Sequence, residues 1–246
     1  MLAPFAPTAG KRMARIFGAD LELDVSNYVD STIFAGCYEP VNTCLFKRIL
    51  RPGSTAVDVG ANIGYFTLLA ASLVGKFGKV IAAEAHPRNF KILSAAVERN
   101  GLKQVQAVNI GLSDENGSGE VIMADQKEYA NRTASMVPQS GLTGPTVQLR
   151  TLDNCLDDWG IDVVDLLKID VDGFETKVVR GGARSLAGGR IKNVIMEFDE
   201  SWLSASGSSV EELTDLLVAA GFREARHPVL SFFMGPSGDR HFISAG

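Results

Sequence analysis

The chain has 246 residues, 46% of them hydrophobic and 22% charged, which is the size and balance of one large domain with a proper core, or one domain with a modest appendage. Its net charge of -5 and pI near 5.3 argue against the basic face that a phosphate backbone requires, so nucleic acid is not an expected partner. Cys37, Cys44 and Cys155 are odd in number and too widely spaced for a disulfide framework or a paired metal clip, and read as small thiols in a reducing cytoplasm.

In chain order, "MLAPFAPTAGKRMAR" lacks the charged-then-apolar order of a secretion signal. Residues 1–37 mix short apolar pieces with Asp, Ser and Gly, and are expected to form a lead-in packed on a main domain of residues 38–246. "EPVNTCLFKRIL" has helical spacing and stops at "RPG". Then come a strand, "TAVDVG", and a helix from Asn62 to Val74; this region holds a long uncharged run, Val59 to Gly75, which falls short of the roughly 20 apolar residues of a membrane span. The expectation is a cytoplasmic chain. "KVIAAE" (79–84) is the next strand, "PRNFKILSAAVERN" a helix opened by Pro and closed by Asn100-Gly101, and "VQAVNI" a third strand.

Residues 112–150 break this rhythm. "GSGEVIMAD" and "TVQLRTL" resemble strands around a long polar loop, a length more often functional than filler, so the segment reads as a lid-like insertion. "VVDLLKID" and "NVIMEF" resume the strands, separated by a helix over about 174–187 that Gly181-Gly182 weakens. "SSVEELTDLLVAAG" is a capped amphipathic helix, and "SFFMG" and "RHFISA" read as a final strand pair. Apolar strands alternating with helices imply an α/β fold, a mainly parallel sheet covered on both faces. Its ligand would sit along the edge where the strands end.

Gly60 and Gly64 allow a sharp turn and a close backbone approach at the end of the first strand. Their G-x-x-x-G spacing is neither the dinucleotide fingerprint nor a phosphate loop. Asp58, Glu84 and Asp170 end three strands and are expected to crowd one edge. Two unit charges about 4 Å apart interact by about 4 kcal/mol at an effective dielectric of about 20, so a pyrophosphate there would be penalised on that scale. S-adenosylmethionine carries a sulfonium and an ammonium instead, and Glu84 is placed to grip ribose hydroxyls. The competing reading of Asp58 is a side chain that only ties down the turn.

"DVGANIGYFTLLAA", "VIAAEAHPRNF", "VQAVNIGLSDENGSGEV", "RTLDNCL" and "LLKIDVDGFETKVVRGG" together resemble the FkbM family of S-adenosylmethionine-dependent methyltransferases, from about Tyr38 to Phe198. The resemblance implies the Rossmann-like class I methyltransferase fold, a seven-stranded sheet whose antiparallel strand comes from the tail. It also implies O-methylation of sugars or secondary metabolites. Ala85 stands where the family usually has Pro, and Asp172 where it often has Glu.

Methyl transfer to a hydroxyl needs a positioned acceptor oxygen and a route for its proton. Asp170 is the first candidate, as base or orienter, with Lys168 to hold it ionised or to stabilise the alkoxide. Asp172 and Glu175 also fit a helix-capping pair. Glu197 and Asp199, at the end of "MEFDE", could face the cleft, and with Asp170 would give an oxygen-rich magnesium site that their spacing permits without demanding. Glu39 is expected at the cofactor's methionine end, Asn62 in the glycine loop, and Gly111 and Leu112 beside the adenine. His86 reads as a loop residue near the adenosine, while His227, His241, Trp159 and Trp202 fit packing better than chemistry. Asn131-Arg132-Thr133 has the glycosylation pattern, of little meaning in a cytoplasmic chain. The leading function is an O-methyltransferase acting on a small-molecule or glycan hydroxyl. An N-methyltransferase, a non-catalytic S-adenosylmethionine-binding domain and a nicotinamide oxidoreductase are the alternatives.

Overall fold

The computed structural model describes residues 10–123, 134–136, 143–225, 227 and 238–245. A hairpin of β1 (Lys11–Ile16) and β2 (Ala19–Asp24) leads into α1 (Tyr28–Phe34) and α2 (Pro40–Ile49). Strands and helices then alternate as β3 (Thr55–Val59), α3 (Tyr65–Val74), β4 (Lys79–Ala83), α4 (Pro87–Arg99) and β5 (Val105–Val108). Five short strands follow: β6 (Gly111–Leu112), β7 (Gly117–Glu120), β8 (Ile122–Met123), β9 (Ala134–Ser135) and β10 (Thr146–Arg150). The chain continues through α5 (Leu152–Asp158), β11 (Leu166–Ile169), α6 (Glu175–Gly181), α7 (Ala183–Ala187) and β12 (Asn193–Met196). It closes with α8 (Glu200–Ala205), α9 (Val210–Ala219), β13 (Phe222–Glu224) and β14 (Arg240–Ser244).

The main sheet has seven strands in the order β13-β14-β12-β11-β3-β4-β5. The four pairings from β12 across to β5 are parallel, and β14 is antiparallel to both β12 and β13. The sheet is therefore mixed, with its parallel part at the centre. The antiparallel tail strand expected from the sequence is β14. Its partner is β13, a three-residue strand with no alternation long enough to read, whereas "SFFMG" lies outside the described residues.

Side-chain alternation divides the core into two layers. Val57, Val59, Leu167, Ile169, Val194 and Met196 face one side, against α5, α6, α8 and α9. Ala56, Leu166 and Ile195 face the other, against α2 and α3. Leu21 and Leu23 of the hairpin pack on Ile63, Leu68 and Ala96. No helix of the described residues is long and apolar enough to cross a membrane.

Two helices depart from the sequence expectation. The helix after β3 begins at Tyr65 rather than Asn62, because Gly60, Asn62 and Gly64 have φ of 78°, 50° and 101°, outside any right-handed helix. The expected 174–187 helix is two helices broken at Gly182, and a Cβ at Gly181 would stand 2.0 Å from the Ser113 carbonyl oxygen, so the glycine permits close packing on the segment after β6.

Candidate active site

The C-terminal ends of β3, β4, β11 and β12 open into a cleft of ≈ 910 Å³, part of it open solvent. Backbone bonds carry the ladders past the strand ends into its floor: Gly60 N donates to Ala83 O at 2.9 Å, Glu84 N to Val108 O at 3.1 Å, and Asp170 N to Val59 O at 3.0 Å. Of the residues singled out in the sequence, Glu39, Gly60, Asn62, Glu84, Gly111, Leu112, Asp170 and Glu197 line this cleft. Asp58, Gly64 and Lys168 do not.

Strand alternation explains Asp58. It lies on the α3 side of β3, is 1% exposed, and accepts a hydrogen bond from Thr67 Oγ1 at 2.7 Å. Burial raises its carboxyl pKa, against the pull of Lys168 and the Thr67 bond. Asp58 therefore belongs beneath the cleft, not among the acids at its edge. Lys168, its register partner on β11, is 2% exposed and sits 4.9 Å from the Phe66 ring centroid. Its Nζ donates to Asp170 Oδ2 at 2.7 Å. Burial lowers the lysine pKa, but Asp170, Asp58 and Glu39 together outweigh it and hold the ammonium well above its ordinary value. Lys168 is a fixed cation.

Glu84 is 4% exposed, and backbone donors anchor both its oxygens: Asn62 N at 2.8 Å and His86 N at 2.8 Å. Burial pushes it up to about 7 despite those two donors. Gly60 is required by its neighbour, since a Cβ there would lie 1.7 Å from the Asp170 carbonyl oxygen. Gly64 serves packing, its missing Cβ leaving room for Leu93 Cδ1 at 2.8 Å.

The far end of the cleft holds more acids than the sequence suggested. Glu39 caps α2 in a left-handed conformation, φ 38°, and accepts from Asn42 Nδ2 at 2.8 Å. Asp239 lines the cleft from just before β14, and Asn42 beside it favours its ionised form. Burial, then Glu39 and Asp170, push Asp239 up to about 7. Burial raises Glu39 as well, opposed by Lys168. Glu197 is pushed up to about 10, first by burial and then by Asp170, Asp172, Asp239 and Glu175. Leu112, Val121 and Met136 give the cleft lining an apolar part.

The presumed capping pair divides its roles. Glu175 accepts from Val171 N and Gly173 N, both at 3.0 Å, and secures the turn before α6. Asp172, with φ 47°, lines the cleft instead of capping the helix. Asp199 caps α8 through Ser201 N at 2.8 Å and Trp202 N at 3.1 Å, and is absent from the cleft lining. That removes the third ligand of the magnesium site, and among the described residues no three His, Cys, Asp or Glu are arranged to hold a metal. His86 caps α4, accepting from Arg88 N at 3.2 Å. His227 and His241 bond to each other at 2.8 Å, away from the cleft lining. The Trp159 carbonyl accepts from Lys79 Nζ at 2.7 Å, and neither it nor Trp202 lines the cleft. The cysteines are free thiols. Asn131-Arg132-Thr133 lies outside the described residues.

A family model described as the Methyltransferase FkbM domain matches residues 58–224. The chain belongs to the FkbM methyltransferase family. This FkbM protein is 27% identical over 241 residues to the AMB antimetabolite synthetase AmbE of Pseudomonas aeruginosa, an alignment covering 83% of this chain and 11% of the synthetase. It is 28% identical over 173 residues to Methyltransferase sdnD of Sordaria araneosa, covering 59% of this chain and 64% of that protein. The chain thus spans about a tenth of the first relative and under two-thirds of the second. An FkbM methyltransferase structure from Methylobacillus flagellatus KT aligns at TM-score 0.51 and 13% identity, over 89% of this chain and 55% of that one. The METTL16 methyltransferase domain aligns at 0.52 and 15%, over 94% and 75%. These likenesses establish the class I methyltransferase fold.

Proposed function

We propose that this enzyme transfers a methyl group from S-adenosylmethionine to a hydroxyl of a sugar, glycolipid or secondary metabolite in the cytoplasm. The observation that carries the reading is Glu84, held at the cleft floor by two backbone donors and flanked by Gly60 and Asn62. A carboxylate so fixed suits two vicinal ribose hydroxyls. The rest of the donor set fits the same guest. Asn62 lines the cleft and has a buried Oδ1 with no hydrogen-bond partner, which suits a ligand bringing N–H groups. The acids at the far end suit its positive charge, and the apolar lining of Leu112, Val121 and Met136 suits an aromatic base.

When bound, S-adenosylmethionine supplies a methyl carbon already activated by its sulfonium. Asp170 orients the acceptor hydroxyl and takes its proton as the oxygen attacks. Lys168 cannot serve as base, because it stays charged; it donates to Asp170 Oδ2 from behind. Glu197 and Asp239 border the acceptor side, and the acceptor is a small molecule or glycan rather than nucleic acid. The name of the relative AmbE, an antimetabolite synthetase, favours a secondary metabolite among these.

Calorimetry with S-adenosylmethionine, S-adenosylhomocysteine and NAD tests the cofactor. Binding of the first two and not the third is expected, and NAD binding alone would refute it. Transfer of labelled methyl to a panel of hydroxylated and amino acceptors then tests the acceptor class, methyl on nitrogen being the result against it.

A further inference from the structure

Ser135 of β9 is fully buried, and its hydroxyl donates to the Asp172 carbonyl at 2.7 Å. This bond ties the 112–150 excursion to the turn after β11. On the excursion side, Met136 follows Ser135, lines the cleft, and lies so close over Gly111 that a Cβ there would be 2.8 Å from its sulfur. Met136 packs with Val121, Val147 and Phe174, and this cluster reaches Ala85 beyond the ribose-side acid and Val171 beside Asp172. On the other side, Asp172 and Gly173 have φ of 47° and 100°, a left-handed pair that few sequences hold without outside support. Glu175 fixes the N–H groups of Val171 and Gly173, and Ser135 fixes the carbonyl between them. The backbone of this turn is thus held from both sides, and Asp172 lines the cleft.

We propose that Ser135 is a positioning residue for methyl-donor recognition: by holding the Asp172 carbonyl it fixes the turn that keeps the Asp172 carboxylate beside the cofactor's sulfonium, so that the excursion wall and this acid act as one unit. The proposal rests on the S-adenosylmethionine reading above. Burial, then Asp170, Glu175 and Glu84, push the Asp172 carboxyl well above the usual carboxylate range, against the pull of Lys168, and a positive charge beside it favours its ionised form. S-adenosylmethionine carries a sulfonium, whereas S-adenosylhomocysteine has a neutral thioether there and keeps the same ammonium. The ratio of their dissociation constants therefore reports where the carboxylate stands.

The experiment is calorimetry of both ligands with the unsubstituted protein, Ser135→Ala, Ser135→Thr, Asp172→Asn and the double variant Ser135→Ala/Asp172→Asn. Ser135→Ala should lower the preference for the sulfonium ligand by about fivefold, the scale of a displaced carboxylate in a partly solvated site. Ser135→Thr, which keeps the hydroxyl, should restore it. Asp172→Asn should lower it at least as far, and Ser135→Ala should add nothing in that background. Equal weakening of both ligands by Ser135→Ala, or additive effects in the double variant, would show a merely structural serine and overturn the proposal. Should Ser135→Ala fail to fold, Asp172→Asn still decides, because an unchanged ratio there removes the acid on which the latch acts. Binding of neither ligand by the unsubstituted protein is a separate result, and it overturns the cofactor reading and the latch together.

Discussion

Lys168 Nζ and Asp170 Oδ2 are 2.7 Å apart, the lysine side chain 3% exposed and the aspartate side chain 27% exposed. One partner is locked in the core and the other is presented to the cleft. Lys168→Met should leave Asp58 and Asp170 without their cation, and losing one partner of a buried pair costs about 3–5 kcal/mol. Urea denaturation measures this. Asp170→Asn removes the charge from the open side, and should fold well while losing about 10²–10⁴-fold in methyl transfer. A rate within a factor of about two of the parent would end the role given to Asp170.

Glu84→Gln should weaken S-adenosylmethionine and S-adenosylhomocysteine by the same factor, since both carry the ribose. A carboxamide has only one acceptor oxygen, so either Asn62 N or His86 N loses its partner. A loss of about 10–100-fold is expected from that and from the ribose bonds together. Calorimetry reads it, and an unchanged affinity would place the ribose elsewhere.

Glu197 holds its proton up to about 10 in the fold, while an unfolded chain releases it near about 4.3. The group therefore contributes its full stability below about pH 4, and that contribution is lost as pH rises toward about 10. Glu197→Gln, which needs no proton, should melt at a higher temperature than the parent near about pH 8 and at the same temperature near about pH 4. Thermal unfolding of the ligand-free protein at the two pH values is the check.

A cation entering the cleft draws protons off its raised acids. Burial holds Asp239 up to about 7, so affinity for S-adenosylmethionine should climb as pH rises through about 7. Calorimetry in two buffers of different ionisation enthalpy should show proton release. A flat profile with no release would mean that Asp239 is already ionised in the empty cleft.

Gly60→Ala should abolish cofactor binding and destabilise the fold. Its φ of 78° and the Asp170 carbonyl 1.7 Å from the added carbon both oppose it. A cost of about 3 kcal/mol or more is expected from such a backbone collision. Thermal unfolding measures it directly.

The sequence exposed the parts of the site that sit on local pattern. "TAVDVGANIG" and "KVIAAE" gave the glycine loop and Glu84, because a strand followed by a tight turn is written in adjacent residues. The same stretch also held the answer for Asp58: with Val57 and Val59 on one face, alternation assigns Asp58 to the face beneath α3. Asp239 was not legible. It reaches the cleft only because β14 pairs with β12, a contact between distant parts of the chain. Met136 and Ser135 carried no motif, since their placement depends on β9 pairing with β8. His86 was readable as a cap from "HPRN", with Pro at the first helical position.

The insertion of β14 between β12 and β13 bears on how the enzyme comes into being. As the polypeptide leaves the ribosome, β12 is made well before the strand that will cover it. The "NVIM" strand lacks its β14 partner in the meantime, and an unpaired strand edge is prone to mispairing. Asp239 arrives immediately ahead of that covering strand, so its side of the cleft is finished in the same late event that seals the sheet. A folding intermediate without β14 would then have the Gly60 and Glu84 part of the cleft and lack Asp239.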